Sequence, residues 1–239
     1  MTVFSGFLSF FLALSATGFS QRSIEGDGSD YTESRTVSAF TKLHNSISAE
    51  VILVKGNSPG VRIEGEKNIV ALLMTEVKDG ELDIRFPWMK NIRTTRQLKV
   101  WVTTPDIAEV SNSGSGRIHS DDQFKHSNMS IHSSGSGNIE IALDADMLDV
   151  GVSGSGGVLV KGDAKQLDCS ISGSGRVNGS DLAIREHSDI HISGSGSCTV
   201  ATNGVIEGHI SGSGGINYKG DPSSVNVSHS GSGRARKIS

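Results

Sequence analysis

Apolar and polar residues alternate through most of the second half of the chain. Residues 148–152 read Leu-Asp-Val-Gly-Val, and residues 167–171 read Leu-Asp-Cys-Ser-Ile. A period of two is typical of a strand with one buried face and does not fit the 3.6-residue period of a helix. The pattern therefore predicts short β-strands that place one face in a core.

The tetrapeptide Ser-Gly-Ser-Gly separates these predicted strands. Its seven copies begin at Ser113, Ser134, Ser153, Ser172, Ser193, Ser211 and Ser230, at spacings of 21, 19, 19, 21, 18 and 19 residues. A regular period near 20 is typical of stacked repeats. Glycine suits a tight reversal because positive φ angles cost it little. Each copy is therefore predicted to form a corner between two strands.

One repeat of this size buries too few apolar side chains to offset the entropy of ordering it. Burial against neighbouring repeats must supply the difference. We therefore predict an all-β fold, a parallel β-solenoid with one repeat per rung and with rungs about 4.8 Å apart. Thirty glycines and an aromatic content of 5% suit thin rungs, and the net charge of −4 gives no basic footprint for nucleic acid.

The chain divides into three predicted regions. Residues 1–20 contain the apolar run 7–14 followed by small residues, which is typical of a signal peptide. A membrane anchor is the alternative, but the run is shorter than the ~20 residues that span a bilayer. Residues 21–36 are polar and predict a flexible linker. Residues 37–239 predict one solenoid domain, with irregular N-terminal rungs over 37–110 and regular repeats over 111–239.

Two local features are predicted within the irregular rungs. Residues 76–84 contain Asp79-Gly80 between two strand-like segments, which predicts a hairpin or a corner. Residues 69–74 (Ile-Val-Ala-Leu-Leu-Met) predict one or two helical turns.

The domain also carries a series of short phrases in a defined order. They are Phe40, residues 51–56, residues 61–65 with Asn68, Glu76-Val77 with Asp79-Gly80 and 82–84, Val100-Trp101-Val102 with Pro105, and the Gly-Ser-Gly turns. From about residue 35 to its end, the chain thus resembles the bacterial head-GIN, putative auto-transporter adhesin family. The resemblance implies a right-handed parallel β-helix in an exported protein, with a presumed adhesive role and no established catalytic residues.

A column of predicted solvent-facing residues lies four positions before each corner serine. Its members are Glu109, Ser130, Asp149, Asp168, Asp189, Glu207 and Asn226. The four consecutive acids, Asp149 to Glu207, are candidate binding residues for divalent cations or a basic partner. A solvated ladder whose repulsion is screened by salt is the alternative.

Two positions further on, histidines accompany two of these acids. Asp189 and His191 are predicted to stack on Glu207 and His209, a ligand set that suits zinc or another transition metal. Solvent-facing histidines beside carboxylates without a metal are the alternative interpretation. The sequence contains no cofactor motif.

Basic residues occur in two further patterns. Arg117, Arg176 and Arg234 recur four positions after the corner serine, and we interpret them as promoting solubility and protecting strand edges rather than as an anion groove. Trp88, beside the basic segment 90–96, is a better candidate for ligand contact, with a solvated loop as the alternative.

The cysteines and the C-terminus leave questions open. Cys169 and Cys198 fall at inward positions on opposite strands of adjacent rungs, and we expect buried free thiols, since packed sheets lie about 10 Å apart. Arg234, Arg236 and Lys237 crowd the last predicted rung. They either blunt its edge or mark the place where subunits stack in a homo-oligomer.

The sequence contains no phosphate-loop or His-Glu-x-x-His motif. We therefore predict a non-enzymatic cell-envelope protein in the periplasm, at the outer-membrane surface or outside the cell. It is expected to bind a glycan or a protein surface along a flat solenoid face, with no membrane span in the mature chain and no nucleic-acid partner. The alternatives are a polysaccharide lyase, by analogy of fold, and a purely structural spacer.

Overall fold

The computed structural model describes residues 23–88 and 91–239. The predicted signal peptide over residues 1–20 and Lys90 lie outside the described residues. The described chain is an all-β solenoid of about seven turns with about 19 residues per turn, which confirms the fold class predicted from the repeat.

The described residues of the N-terminal part, 23–88 and 91–112, form ten strands and one short helix. They are β1 (Ile24–Glu25), β2 (Tyr31–Thr36), β3 (Lys42–Asn45), β4 (Glu50–Lys55), β5 (Gly60–Gly65), α1 (Lys67–Val70), β6 (Met74–Lys78), β7 (Glu81–Arg85), β8 (Ile92–Arg93), β9 (Lys99–Thr104) and β10 (Glu109–Asn112). Parallel pairing of β10 with β3, and of β4 with β9, starts the solenoid.

The regular part contains the remaining ten strands. They are β11 (Arg117–Lys125), β12 (Asn128–Ser133), β13 (Asn138–Gly154), β14 (Gly157–Gly173), β15 (Arg176–Gly194), β16 (Ser197–Thr202), β17 (Val205–Gly212), β18 (Gly215–Lys219), β19 (Ser224–Gly231) and β20 (Arg234–Lys237). β13, β14 and β15 are long because each continues through a second bend, near residues 146, 165 and 185, where the regular pairing is interrupted.

The strands form two walls that face each other across the core. The acidic wall consists of β10, β12, β17 and β19 with the C-terminal halves of β13, β14 and β15. The arginine wall consists of β11, β16, β18 and β20 with the N-terminal halves of the same three long strands. All pairs within these walls are parallel, as the repeat predicts.

The glycine-serine corners lie directly above one another. The backbone N–H of Ser174 donates to the carbonyl of Gly154 at 2.9 Å, and Ser195 donates to Gly173 at the same distance. The next corner repeats the contact, with Ser213 donating to Gly194 at 2.9 Å. Hydrogen bonds between corners thus continue the ladders of the two walls around the edge of the solenoid.

The core follows from the alternation of the strands. Inward side chains such as Val150, Val158, Ile171 and Ile190 are 0–2% exposed. Near the first corner the core is polar, because Asn45 Nδ2 donates to Asn112 Oδ1 at 3.0 Å and Asn112 Nδ2 donates to the Gly116 carbonyl at 2.8 Å. These amides satisfy backbone groups that a hydrocarbon side chain would leave unpaired.

Antiparallel strands cover the N-terminal end of the solenoid. β2 and β9 each pair antiparallel with β5, and β6 with β7 form the hairpin predicted around Asp79-Gly80. The prediction of a linker over residues 21–36 is wrong for Tyr31–Thr36, which is the paired strand β2. The polar sequence of β2 suits an edge strand, because backbone hydrogen bonds with β5 hold it in place and it buries few apolar side chains.

The helical turn also differs from its prediction. α1 begins at Lys67 and ends at Val70, while Met74 already belongs to β6. Only Ile69 and Val70 of the predicted segment are helical, and both are buried. Within the described residues, no helix has the length and hydrophobicity needed to cross a membrane.

Candidate functional site

Strict register turns the sequence repeat into columns on the outer surface. Asp149 pairs with Asp168, Asp168 with Asp189, and Asp189 with Glu207 on successive strands of the acidic wall. The structure therefore brings the four predicted acidic binding residues into one column. Asp149, Asp168 and Glu207 are exposed, and Asp189 is half-buried.

Charge repulsion within this acidic column is visible at its centre. Partial burial and the neighbouring carboxylates of Asp149 and Asp189 raise the pKa of the Asp168 carboxyl, while His191 acts in the opposite direction. A cation or a basic side chain placed over the column would relieve that repulsion. The geometry therefore fits attraction of positive charge without by itself forming a coordination site.

The four predicted metal ligands face different partners. His191 Nδ1 lies 3.3 Å from Asp189 Oδ1 on its own strand, whereas His209 Nδ1 lies 2.8 Å from Ser228 Oγ. Glu207 Oε2 lies 3.8 Å from His187 Nε2. Across residues 23–88 and 91–239, no three His, Cys, Asp or Glu side chains are placed to hold one ion. Register aligns the backbones of these residues, but their side chains as placed do not converge on one point, and the zinc site stays a prediction.

Trp88 lies apart from the acidic column. Its side chain is 90% exposed, and it borders a cavity of about 360 Å³. The cavity is lined by Ser46, Ile47, Ser48, Phe86, Pro87, Trp88, Ile92, Thr94 and Leu98. Two of the nearby basic residues are already engaged, since Arg85 pairs with Glu76 and Asp83, and Arg96 pairs with Asp30. The Trp88 cavity is therefore a neutral, partly apolar surface.

One contact near the first corner could not be read from the repeat. His44 Nδ1 lies 3.1 Å from Ser111 Oγ, and His44 Nε2 lies 3.2 Å from Ser113 Oγ. β3 and β10 pair in register, which places a histidine from residue 44 beside a serine 69 positions later. Residue 44 precedes the regular repeats, so their period does not predict this contact.

The arginine wall carries a second set of residues that the sequence analysis did not treat as a site. Arg117, Arg176 and Arg234 lie in one register column, and all three are exposed. Shallow cavities lie beside this column over Gly157 and over Gly215. The recurrence of arginine was visible in the sequence, but the cavities depend on the stacking of rungs.

The described fold is similar to several solved structures. A structure described as a putative adhesin from Bacteroides fragilis is 27% identical, with a TM-score of 0.85 over 90% of this chain and 100% of that chain. A putative lipid binding protein from Parabacteroides distasonis is 24% identical, with a TM-score of 0.74 over 91% and 100%. A putative adhesin from Parabacteroides merdae is 20% identical, with a TM-score of 0.71 over 90% and 99%.

A comparison with curated proteins found no significant match. The model of the family described as "putative auto-transporter adhesin, head GIN domain" matches residues 39–222, from just before β3 to just after β18. This confirms the resemblance expected from the ordered phrases, and the chain belongs to that family.

Proposed function

We propose that the chain is an exported, non-enzymatic, adhesin-like protein that binds a glycan or a protein surface along one flat wall of its solenoid. The observation that carries the proposal is the register of the rungs, which repeats the same outward positions along each wall. Membership in a family of putative adhesins supports the same role.

A repeated surface favours an extended or repetitive ligand. Each outward position contributes a weak contact, and a ligand that spans several rungs makes many such contacts at once. Rigid β-walls also lose little conformational entropy on binding, since their outward side chains are already spaced by the backbone ladder. The described walls therefore suit recognition of a long molecule better than enclosure of a small one.

Export is supported by the apolar run in residues 1–20 and by the family description. The compartments compatible with this role are the periplasm, the outer-membrane surface and the extracellular medium. Fractionation of cells that produce the full chain, compared with a chain lacking residues 2–20, tests this part. Retention of both forms in the cytoplasm would contradict export.

Binding is tested on an array of immobilised glycans, matrix proteins and whole cells. We expect saturable binding to at least one class. A triple variant identifies the wall that binds the ligand. It combines Asp149→Asn, Asp168→Asn and Asp189→Asn, and a loss of binding in this variant would assign the ligand to the acidic wall. Absence of binding to every member of the array would contradict the proposal and favour a structural spacer. Calcium-dependent depolymerisation of acidic polysaccharides would instead favour a lyase.

A further inference from the structure

The outward residues of the arginine wall repeat with a period of three rungs. Four positions after each corner serine stand, in rung order, Arg117, Asn138, Gly157, Arg176, Ser197, Gly215 and Arg234. Each of the seven pairs in register with the next. We call them the arginine column. Since rungs are about 4.8 Å apart, successive arginines are separated by about 14 Å along the solenoid axis.

A notch lies between each pair of arginines. The first notch has a volume of about 360 Å³ and lies over Gly157, and its lining includes Arg117, Asn138, Leu159 and Arg176 together with one acid, Glu140. The second has a volume of about 300 Å³, lies over Gly215, and is lined by Ser197 and Arg234 among others. Both volumes lie at the lower end of the range found for small-ligand sites.

The guanidinium groups of the column retain donors for a ligand. Arg176, which borders the first notch, forms no ion pair with any residue in the described part of the chain. Arg117 shares the Glu140 carboxylate with Lys161, at 2.6 and 2.8 Å. Arg234 Nη1 donates to the Gly233 carbonyl at 2.6 Å. One carboxylate thus serves two cations, and positive charge remains in excess.

Charge is divided between the two walls. The arginine column and the outward column two positions further on contain four arginines, Arg117, Arg176, Arg234 and Arg236, against one acid, Glu140. The acidic wall presents Asp149, Asp168, Asp189 and Glu207 at the corresponding places. A polyanion would therefore be repelled from one wall and attracted to the other, although the whole chain carries a net charge of −4.

We propose that the arginine column binds a linear anionic polysaccharide that lies along the solenoid axis. Carboxylate or sulfate groups pair with the guanidinium groups, whose planar donors match such anions. Sugar rings occupy the notches over Gly157 and Gly215, where amide and hydroxyl groups of Asn138 and Ser197 meet sugar hydroxyls. This inference rests on the proposed binding function and names its ligand class.

A glycan fits the notches better than a nucleic acid does. Proteins that hold single strands stack the bases on aromatic side chains. Neither notch contains an aromatic residue in its described lining. The arginine spacing also revises our interpretation of these residues as groups that promote solubility and protect strand edges, because neither role requires a notch between them.

The test measures binding of the full chain to polygalacturonate, dextran sulfate and neutral dextran in a salt series. We expect binding to the two anionic polymers only, weakening as salt rises. Arg176→Ala should weaken it about tenfold, the loss expected for one charge-assisted hydrogen bond. Glu140→Gln should strengthen it, because Arg117 and Lys161 lose their shared carboxylate.

Two further variants separate the site from general charge. Arg185→Ala removes an exposed, ion-paired arginine outside the column and should leave binding unchanged. Gly215→Ile should weaken binding, because the new side chain fills the second notch. The fold should tolerate this change, since an added Cβ at residue 215 meets only the Arg234 carbonyl oxygen, at 3.6 Å. Equal losses in Arg176→Ala and Arg185→Ala would overturn the assignment.

The remaining outcomes distinguish this inference from the proposed function. Binding to a neutral glycan or a protein, without binding to either anionic polymer, would overturn the inference and leave the adhesin-like role intact. Absence of all binding would contradict both. Tighter binding to single-stranded DNA than to either polysaccharide would overturn the ligand class.

Discussion

The Sγ atom of Cys169 lies 3.6 Å from the Sγ atom of Cys198, across the core from the acidic wall to the arginine wall. Both side chains are buried, and both thiols are free. The two thiols thus meet in the core without a disulfide bond, as the sequence predicted. The hydrogen bond with Cys198, and then burial, raise the pKa of the Cys169 thiol.

This thiol predicts a loss of stability at alkaline pH. The unfolded chain releases the proton near pH 8.5, whereas the folded chain retains it, so the free energy of unfolding falls as pH rises above that value. Cys169→Ala should flatten this decline in urea denaturation between pH 7 and pH 10. Val150→Ala, at the paired position one rung earlier, should lower stability without changing its pH dependence. Identical pH profiles for Cys169→Ala and the wild type would contradict this account.

Glu66 predicts a local pH dependence at the N-terminal end. Its side chain is 1% exposed, and its carboxylate accepts hydrogen bonds from the backbone N–H groups of Gly28 at 2.8 Å and Thr95 at 2.9 Å. The Thr95 hydroxyl contributes most to lowering the pKa of this carboxyl. Ionised Glu66 therefore stabilises the fold at pH values above the ordinary glutamate pKa. This stabilisation is lost as pH falls through the lowered pKa of Glu66 in the folded chain.

Hydrogen exchange measures this directly. Glu66→Ala should lower the protection factors of the Gly28 and Thr95 amides at neutral pH. In the wild type, acid should lower the same protection factors once the slower intrinsic exchange at low pH is corrected for. Asp30→Ala removes only the exposed ion pair with Arg96 and serves as the control. If Asp30→Ala had the same effect as Glu66→Ala, hydrogen bonds to the Glu66 carboxylate would not be the cause of protection at Gly28 and Thr95.

The corners could be predicted from the sequence because a tight turn needs glycine at that position, whatever lies far away in the chain. The pairing of β2 with β5 was not predictable in the same way, since Tyr31–Thr36 contains no run of apolar residues. Contacts distant in sequence hold it, as Arg35 donates to the carbonyls of Leu73 at 2.6 Å and Val70 at 2.9 Å. The metal site stays a prediction for a related reason, because it depends on side-chain directions that a column of positions does not define.

Repulsion in the acidic column predicts a stabilising substitution. Asp168→Asn should raise the free energy of unfolding at pH 7 by about 0.5–1 kcal/mol, because it removes a like charge from between Asp149 and Asp189. Because the pKa of Asp168 is raised, the folded chain protonates this carboxyl at a higher pH than the unfolded chain does. The free energy of unfolding of the wild type therefore falls as pH rises from the unfolded pKa through the folded one. The gain should vanish at pH 3 and shrink in high salt. Asp146→Asn is the control of opposite sign, since Asp146 pairs with Lys165 at 2.6 Å. A gain that persisted at pH 3 would show that charge is not its cause.

The corners predict the most damaging substitutions. Gly194 has a φ of 116°, and an added Cβ would lie 2.5 Å from the carbonyl oxygen of Gly173 in the rung below. Gly194→Ala combines backbone strain with a clash against another backbone, so it should lower the free energy of unfolding by about 3 kcal/mol. Gly80, in the hairpin between β6 and β7, has a φ of 76° and no atom within 4 Å of an added Cβ. Gly80→Ala should therefore cost only about 1 kcal/mol. Urea denaturation of both variants measures the difference. Equal losses in the free energy of unfolding would mean that successive corners are not in the close backbone contact that the stacked geometry requires.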